Sequence, residues 1–230
     1  MVKLVSEGVK HVRKAIGLVS FVFLTTMQTV NAHPHVWIEG HLTLLFNPQG
    51  QVTALRHAWK FDELFSAYAV QGITREKNGV IPAAELQTLT DQWMQNLADP
   101  ASHFFTAVSY GGKAIAMQKP VQAQSNLDTI TNQLTLSFEL PFIEPLVLSK
   151  LSLEVDVNDP GYFVAFDYKG SQVLTLSEAP VACRFSHMPP RALDSKSQRQ
   201  LGALTPDQKE LPEHLRQLVR QLSHQFKVTC

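Results

Sequence analysis

Histidines near the start of the chain are the residues best suited to chemistry. His33, His35 and His41 lie within nine positions, with Glu39 between them. Imidazole and carboxylate groups are ligands for zinc, nickel, cobalt and copper. Alternate side chains of a β-strand share a face, so these four would point one way. The segment therefore predicts a strand with a metal-binding face, and its other face is apolar, with Val36, Ile38, Leu42 and Leu44.

The spacing favours His33 and His35 as the central ligands. Alternate side chains lie about 6.6 Å apart, so two imidazoles reach one ion only where the strand bends or its first residue folds back. If the chain began at His33, its α-amine, with a reference pKa of about 7.7, could chelate together with its ring. Pro34 has no N–H to lose, which excludes a square-planar site built on amide nitrogens. Zinc is the first candidate, and nickel, cobalt and copper are compatible.

Residues 1–32 have the pattern of a secretory signal peptide. A basic start is followed by an apolar stretch, residues 15–27, that is too short to span a bilayer comfortably. Val30 and Ala32 then form the small-x-small pattern of a cleavage site. Cleavage after Ala32 would make His33 the first residue and place the protein in the periplasm. A retained membrane anchor is the alternative.

The rest of the chain has the composition of a globular protein. It comprises 198 of the 230 residues, enough for one core of ordinary size. The full chain has 20 Lys and Arg residues and 20 Asp and Glu residues. Cleavage of the leader removes four basic residues and one acidic residue, which leaves a net charge of about −3. No basic patch points to nucleic acid. No second apolar run approaches the ~20 residues of a membrane helix, so no membrane span is expected after cleavage.

Two cysteines, Cys183 and Cys230, fit an exported protein, because an oxidising compartment allows one pair to close. We predict a disulfide between them. The alternative is a thiolate metal site, but the chain has no CxxC spacing to support it.

The elements that would position these residues begin with a β-hairpin, residues 35–46 and 51–61 around the turn NPQGQ. His57 lies on its second strand and is predicted to face the histidine cluster across the hairpin. From Asp62, a possible helix N-cap, the apolar spacing changes to that of a helix. A second helix follows, so a helical hairpin is predicted at about 62–98.

The loop between these helices resembles the twelve-residue calcium loop of an EF-hand. Glu76, Asn78 and Glu85 fall on ligand positions of that loop, and Gly79 falls on its sharp turn. The first position needs an aspartate and holds Thr74 instead, so a charged ligand is missing. We therefore expect the helix-loop-helix shape without bound calcium.

After Pro100 the chain returns to short strands separated by Gly and Pro, which predicts an α+β fold with a mostly antiparallel sheet or sandwich. We predict a β-rich domain over 33–185, a linker over 186–206 and a C-terminal amphipathic helix over 207–230. His187, His214 and His224 are then expected to lie in the linker and on the helix surface.

Four segments, in the same order, resemble a known family. They are AHPHVWIE (32–39), WKFDELFSAY (59–68), TREKNGVIPAAE (74–85) and VNDPGYFVAFDY (157–168). Together they resemble the periplasmic proteins of the DUF1007 family over about residues 33–185. Each motif is weak alone, and their shared order makes the likeness specific.

The resemblance implies a periplasmic component of a transport system that accompanies NicO-type nickel/cobalt permeases and is linked to zinc acquisition. It implies metal ligands that include His33 and His35. Asp62, Asp159 and Tyr162 match family motifs, either as site residues or as structural residues of turns and packing. A long histidine-rich tract that could store many ions is absent from the sequence.

We therefore predict a protein that catalyses no reaction, binds a divalent transition metal and passes it to an inner-membrane permease. One alternative is an oxidative copper enzyme, in which the amine and ring of a terminal histidine hold copper. A hydrolytic zinc enzyme is less consistent with the sequence, which has no HExxH motif. A structural or interaction module with incidental histidines is the third possibility.

Overall fold

The computed structural model of the protein describes residues 34–149, 151–170, 172–204 and 211–230. The predicted leader, residues 1–32, and His33 lie outside these ranges. The strands are β1 (Val36–Phe46), β2 (Val52–Phe61), β3 (Thr106–Tyr110), β4 (Lys113–Ala114), β5 (Val121–Leu127), β6 (Leu134–Leu146), β7 (Leu153–Val157), β8 (Val164–Asp167), β9 (Leu174–Ser177), β10 (Arg184–Met188) and β11 (His224–Thr229). The helices are α1 (Glu63–Ala69), α2 (Ala83–Leu97), α3 (Ser195–Gly202) and α4 (Glu213–Arg220).

The strands form two sheets. In the first sheet the order is β5-β6-β2-β1-β8, and β9 also pairs with β1. In the second sheet the order is β10-β11-β7-β3-β4. Only β8 and β9 run parallel to their partner β1, and the other strand pairs described are antiparallel. The predicted α+β class with mostly antiparallel sheets is confirmed.

The first hairpin forms where the sequence predicts it, because its turn stabilises itself. The side-chain oxygen of Asn47 accepts hydrogen bonds from the backbone N–H groups of Gln49 and Gln51, at 3.1 and 2.9 Å. Gly50 has a φ of 73°, which a residue without Cβ adopts easily. β1 and β2 then pair from Phe46 and Val52 outwards, with one irregularity in register close to the turn.

The two sheets share one buried apolar cluster. β1 contributes the four apolar residues that its alternation predicts to be inside, and each is at most 3 % exposed: Val36, Ile38, Leu42 and Leu44. Strands of the second sheet add Val155, Phe226 and Val228 to the same cluster. Burial of these side chains is the main force that fixes which face of each strand is inside.

The predicted helical hairpin is present as α1 and α2. Asp62 caps α1, and its side chain accepts a hydrogen bond from the N–H of Phe65. The rings of Phe61, Phe65 and Trp93 pack together, which joins β2, α1 and α2. The hydroxyl of Thr90 on α2 bonds to Ser125 on β5 at 2.7 Å. With 15 residues, α2 is the longest helix described, and none of the described helices is long and apolar enough to cross a membrane.

The C-terminal part of the prediction is wrong in two respects. The segment predicted as a linker contains β10 and α3, whose N-cap Asp194 accepts a hydrogen bond from Ser197 N–H. The predicted C-terminal helix ends at Arg220, and the chain then forms β11 between β10 and β7. HQFKVT alternates buried and exposed residues with a period of two, so as a strand it buries His224, Phe226 and Val228 in the sandwich.

Helices α3 and α4 pack on each other around a small apolar cluster of their own. It comprises Leu201, Leu204, Leu211, Leu215 and Val219. Asn158, which directly follows β7, donates from Nδ2 to Val219 O at 3.2 Å. Arg191, in the segment between β10 and α3, donates from its backbone N–H to Gln221 O at 3.1 Å. This segment therefore packs as part of the same compact unit rather than as a free linker and tail.

Candidate functional site

The outer face of β1 carries the polar side chains that the alternation predicts. Trp37 is 55 % exposed, and Glu39 and His41 follow it on the same face. Glu39 already pairs with Lys60 of β2 at 2.8 Å, and His41 Nε2 lies 3.0 Å from the Thr175 hydroxyl of β9. Both side chains are therefore engaged with neighbouring strands, and either would have to leave its partner to bind an ion.

His35 lies just before β1, where the chain enters the sheet. Its backbone N–H donates to the carbonyl of Phe163 at 2.9 Å, and its ring packs on the Phe163 ring with centroids 4.8 Å apart. The ring orientation is thus set by an aromatic neighbour on the loop before β8. His33 lies outside the described residues, so its pairing with His35 stays a prediction.

The loop that receives His35 is organised by Asp159, which is 5 % exposed. Its carboxylate accepts hydrogen bonds from the N–H groups of Gly161, Phe163 and Val164, at 2.7, 2.8 and 2.8 Å. Three backbone donors on one carboxylate hold the loop in a fixed shape. These contacts give Asp159 a structural role in placing Phe163 beside His35.

Tyr162 belongs to the same loop and faces away from the sandwich core. Its φ of 58° is left-handed, which is uncommon for a bulky residue and reverses the chain before β8. Its ring packs against the apolar cluster of α3 and α4, and burial raises the pKa of its hydroxyl. This placement corresponds to the packed tyrosine of the sequence interpretation.

His57 does not face the other histidines, so that prediction is wrong. In the register of the hairpin it pairs with Leu42, and cross-strand partners lie on the same face. Leu42 faces the core, and both residues are 0 % exposed. The alternation within β2 carries the same signal, because Leu55, Trp59 and Phe61 are buried on the face of His57 and Arg56 lies on the other face.

The surroundings of His57 are aromatic. Its ring stacks on Phe138, with centroids 5.1 Å apart, and Trp59 lies at 5.2 Å. Its Nε2 lies 3.1 Å from the Thr106 hydroxyl, which itself donates to the carbonyl of Phe104. The hydroxyl therefore accepts from Nε2–H, and the ring is neutral. Burial lowers the pKa of His57 from 6.5 to about 3.

The EF-hand-like loop has the predicted shape, with its side chains bonded to one another. Asn78 Oδ1 accepts from the N–H of Val80 at 3.0 Å, while its amide nitrogen lies 3.4 Å from a Glu76 carboxylate oxygen. The Arg75 guanidinium donates to Gly79 O at 2.9 Å and so places a positive charge in the loop. Thr74 and Glu85 are exposed or nearly so and have no part in these contacts.

Asp62 joins the first strand to the helical hairpin. One carboxylate oxygen caps α1 through Phe65 N–H at 2.8 Å, and the other accepts from Trp37 N–H at 2.9 Å. The backbone N–H of Asp62 returns a bond to Trp37 O at 2.9 Å. Asp62 is therefore a structural residue that fixes the start of β1, next to His35.

Replacing Asp62 with alanine is expected to lower the free energy of unfolding by about 2–3 kcal/mol, since a helix cap and a second bond to a carboxylate are lost together. Urea denaturation measures the change. Asp62→Asn keeps one oxygen for the cap and should be affected less, and Glu63→Ala, on the exposed first turn of α1, is the neutral control. An Asp62→Ala protein as stable as the wild type would contradict this role.

An apolar cavity of about 250 Å³ lies beside this region, between the first sheet and α2. Its walls include Val36, Trp59, Trp93 and Phe163, and Asn96 is the one polar residue among those that line it. Because no lining residue has an acidic, imidazole or thiol side chain, the cavity supplies no metal ligand.

A pair of histidines that the sequence interpretation separated is brought together in the second sheet. His187 on β10 and His224 on β11 approach to 3.0 Å between ring nitrogens. The sequence placed them in a linker and on a helix because their contact depends on the pairing of two strands 37 residues apart. His214 lies on the exposed side of α4, as expected.

The predicted disulfide is present. Cys183 and Cys230 are bonded, and they flank the β10–β11 pair at the end where Arg184 faces Thr229. The thiolate metal site is thereby excluded in this state of the protein. Among the described residues no group of three or more His, Cys, Asp or Glu side chains is close enough to hold a metal ion.

Comparison with known proteins places most of this chain in one family. The family model described as "Protein of unknown function (DUF1007)" matches residues 18–230. The chain is also 25 % identical, over 186 residues, to an uncharacterized protein of Haemophilus influenzae (strain ATCC 51907 / DSM 11121 / KW20 / Rd). That alignment covers 81 % of this chain and 86 % of the relative.

Proposed function

Because the chain belongs to the DUF1007 family, whose function is unknown, we propose a role from its own residues together with the resemblance described above. We propose that it is a periplasmic accessory protein that binds a divalent transition metal and passes it to an inner-membrane permease. Zinc is the first candidate ion, and nickel and cobalt are the next. His33 and His35 are the central ligands, and the protein itself catalyses no reaction.

The observation that supports the proposal is that apolar and potential ligand side chains lie on opposite faces of β1. Its apolar residues build the core, while Glu39 and His41 lie on the opposite face and His35 is half-buried just before the strand. His35 precedes the strand, its backbone fixed by Phe163 and its ring packed on an aromatic side chain. An imidazole held in this way loses little side-chain entropy on binding an ion, which favours metal binding.

Transfer to a permease requires that the ion can also leave. A site at the entry to a strand, with few protein ligands and open coordination positions, exchanges its ion more readily than a closed four-ligand cage. Glu39 and His41 are further along the same face, and each has a partner that an ion must displace. We assign them an auxiliary role, as second contacts for an ion that moves along the strand.

Calorimetric titration tests the proposal with the chain that begins at His33. Zinc, nickel, cobalt and copper are added separately to the wild type, to His35→Ala and to His33→Ala. Loss of an imidazole ligand is expected to weaken zinc binding by more than about tenfold in each variant. His214→Ala, which removes an exposed imidazole on α4, is the matched control and should bind as the wild type does.

Two results would contradict the proposal. One is a wild-type protein that binds none of the four metals, or binds them equally well after both substitutions. The other is selective copper binding together with peroxide-dependent oxidation of a polysaccharide, which would indicate an enzyme. Binding to the permease that is identical with and without metal would favour a purely structural module.

A further inference from the structure

The rings of His187 and His224 meet through their nitrogens. Nε2 of His187 lies 3.0 Å from Nδ1 of His224, with ring planes 8° apart and centroids 5.2 Å apart. The centroid separation exceeds the nitrogen separation by roughly one ring diameter, so the rings are edge to edge and nearly coplanar. A contact this short requires one proton between the nitrogens, because two lone pairs would repel.

The neighbouring backbone determines which nitrogen carries that proton. Nε2 of His224 lies 3.0 Å from the carbonyl oxygen of Phe166, which can only accept. His224 is therefore protonated at Nε2, and its Nδ1 is a lone pair. His187 must then donate from Nε2–H to that lone pair, and the carbonyl of β8 orients the whole pair.

The hydrogen bond survives one added proton and fails at the second. The first proton from solvent binds Nδ1 of His187 and leaves the bond in place, with a charged donor. The second proton can bind only to Nδ1 of His224, which is the acceptor of the hydrogen bond. Its protonation removes the bond and leaves two positive rings in contact, so the two steps belong to the pair as a whole.

The surroundings favour the neutral form of both rings. Burial lowers the pKa of His187 and is the main cause that lowers the pKa of His224. The Phe166 carbonyl and the Asp167 carboxylate, both on β8, raise the pKa of His224, and His187 lowers it. Tyr168, which directly follows β8, packs its ring on His224 at 5.0 Å, and burial raises the pKa of its hydroxyl.

The other elements around the pair add little charge. On β11, Phe226 stacks on His187 with centroids 4.6 Å apart. On β7, Val157 pairs with His224, and the nearby Asp156 carboxylate is engaged by the Ser223 hydroxyl at 3.2 Å. Asp167, paired with Lys169, is the carboxylate that raises the pKa of His224. Glu154 and Lys227 line a pocket with His187, and they are paired with each other at 3.1 Å.

The pair lies at the far end of an edge strand. β10 pairs with β11 on one side only among the described strands, and its beginning is fastened by the Cys183–Cys230 disulfide. We propose that the His187–His224 hydrogen bond fastens the other end of β10 and that double protonation releases it. The strand would then open from Met188 once the bond from Arg191 N to Gln221 O also breaks, while the disulfide keeps the start of β10 attached. The result is an acid-sensitive hinge independent of the proposed metal site.

Hydrogen exchange on the full chain, read by mass spectrometry, tests the hinge. All proteins compared carry His57→Leu, because burial of His57 would otherwise make the stability of the core strands depend on pH. Peptides from β10 are compared with peptides from β2 and β6 at about pH 7.5 and about pH 4, after correction for the intrinsic exchange rates. Relative to those core strands, the β10 end is expected to open at least about tenfold more often at the lower pH. Unchanged relative protection of β10 would overturn the proposal.

Variants of His187 separate a proton switch from simple packing. A glutamine amide can donate to Nδ1 of His224 or accept from it, so His187→Gln should protect β10 equally at both pH values. His187→Ala lacks the bond and should open at both. A His187→Gln protein that loses as much protection on acidification as the protein that keeps His187 would show that the pair is not the switch.

Discussion

Acidification is expected to remove about 5 kcal/mol from the free energy of unfolding through His57 alone. Burial lowers the pKa of this imidazole in the folded protein to about 3, while its unfolded value is 6.5. Below pH 6.5, His57 binds a proton in the unfolded chain but stays unprotonated in the folded protein. Above pH 6.5, His57 therefore does not lower the free energy of unfolding. As the pH falls from 6.5 to about 3, protonation of His57 in the unfolded chain lowers that free energy progressively.

A variant without the imidazole isolates this effect. In His57→Leu the Thr106 hydroxyl keeps its bond to the Phe104 carbonyl, so no buried hydroxyl is left without a partner. Urea denaturation at several pH values should then show a much flatter dependence of stability on pH than in the wild type. His103→Leu, which removes an exposed imidazole, is the matched control and should keep the wild-type slope.

The wild type alone provides a second measurement. The ring resonances of His57 should show no protonation above about pH 4, since its pKa lies near 3. Titration of His57 near pH 6, or equal pH dependence in the wild type and His57→Leu, would contradict a neutral buried ring.

Loss of the disulfide is expected to lower the free energy of unfolding by roughly 4 kcal/mol, because the bond closes a loop with a sequence separation of 47 residues. The restraint acts mainly on the unfolded chain, whose entropy rises when the loop opens. It also joins β10 and β11 at one end of their pairing, so these strands should be the first to lose protection.

Cys183→Ala/Cys230→Ala measures this contribution by urea denaturation, and alanine is chosen because Cys183 is buried. Reduction of the wild type with a dithiol is the control and should give a similar loss. A double variant within about 1 kcal/mol of the wild type would show that the loop is already restrained in the unfolded state.

Local patterns in the sequence were enough for several features. The period of two in residues 36–44 predicted both faces of β1, and Asp62 predicted the start of α1. In each case a short stretch contains its own signal, because backbone geometry fixes the alternation and a cap bonds within one turn. The disulfide pairing followed from the number of cysteines, since each of two cysteines has one possible partner.

Features that depend on strand pairing could not be predicted from local sequence patterns. His57 is an exception, because its place between Leu55 and Trp59 already indicates the inner face of β2, and the register against Leu42 agrees with it. The segment after Arg220 fits either an amphipathic helix or a strand, and the open position between β10 and β7 selects the strand. The His187–His224 contact exists only because of that choice.

The sequence by itself determined which side chains share a face of β1, where α1 begins and which cysteines pair, because these features arise from neighbours along the chain or from simple counting. The tertiary structure alone decided that the chain after Arg220 forms β11 and that His187 and His224 share a proton. The physical reason is that strand register and sheet order are chosen by total apolar burial, to which residues far apart in sequence contribute together.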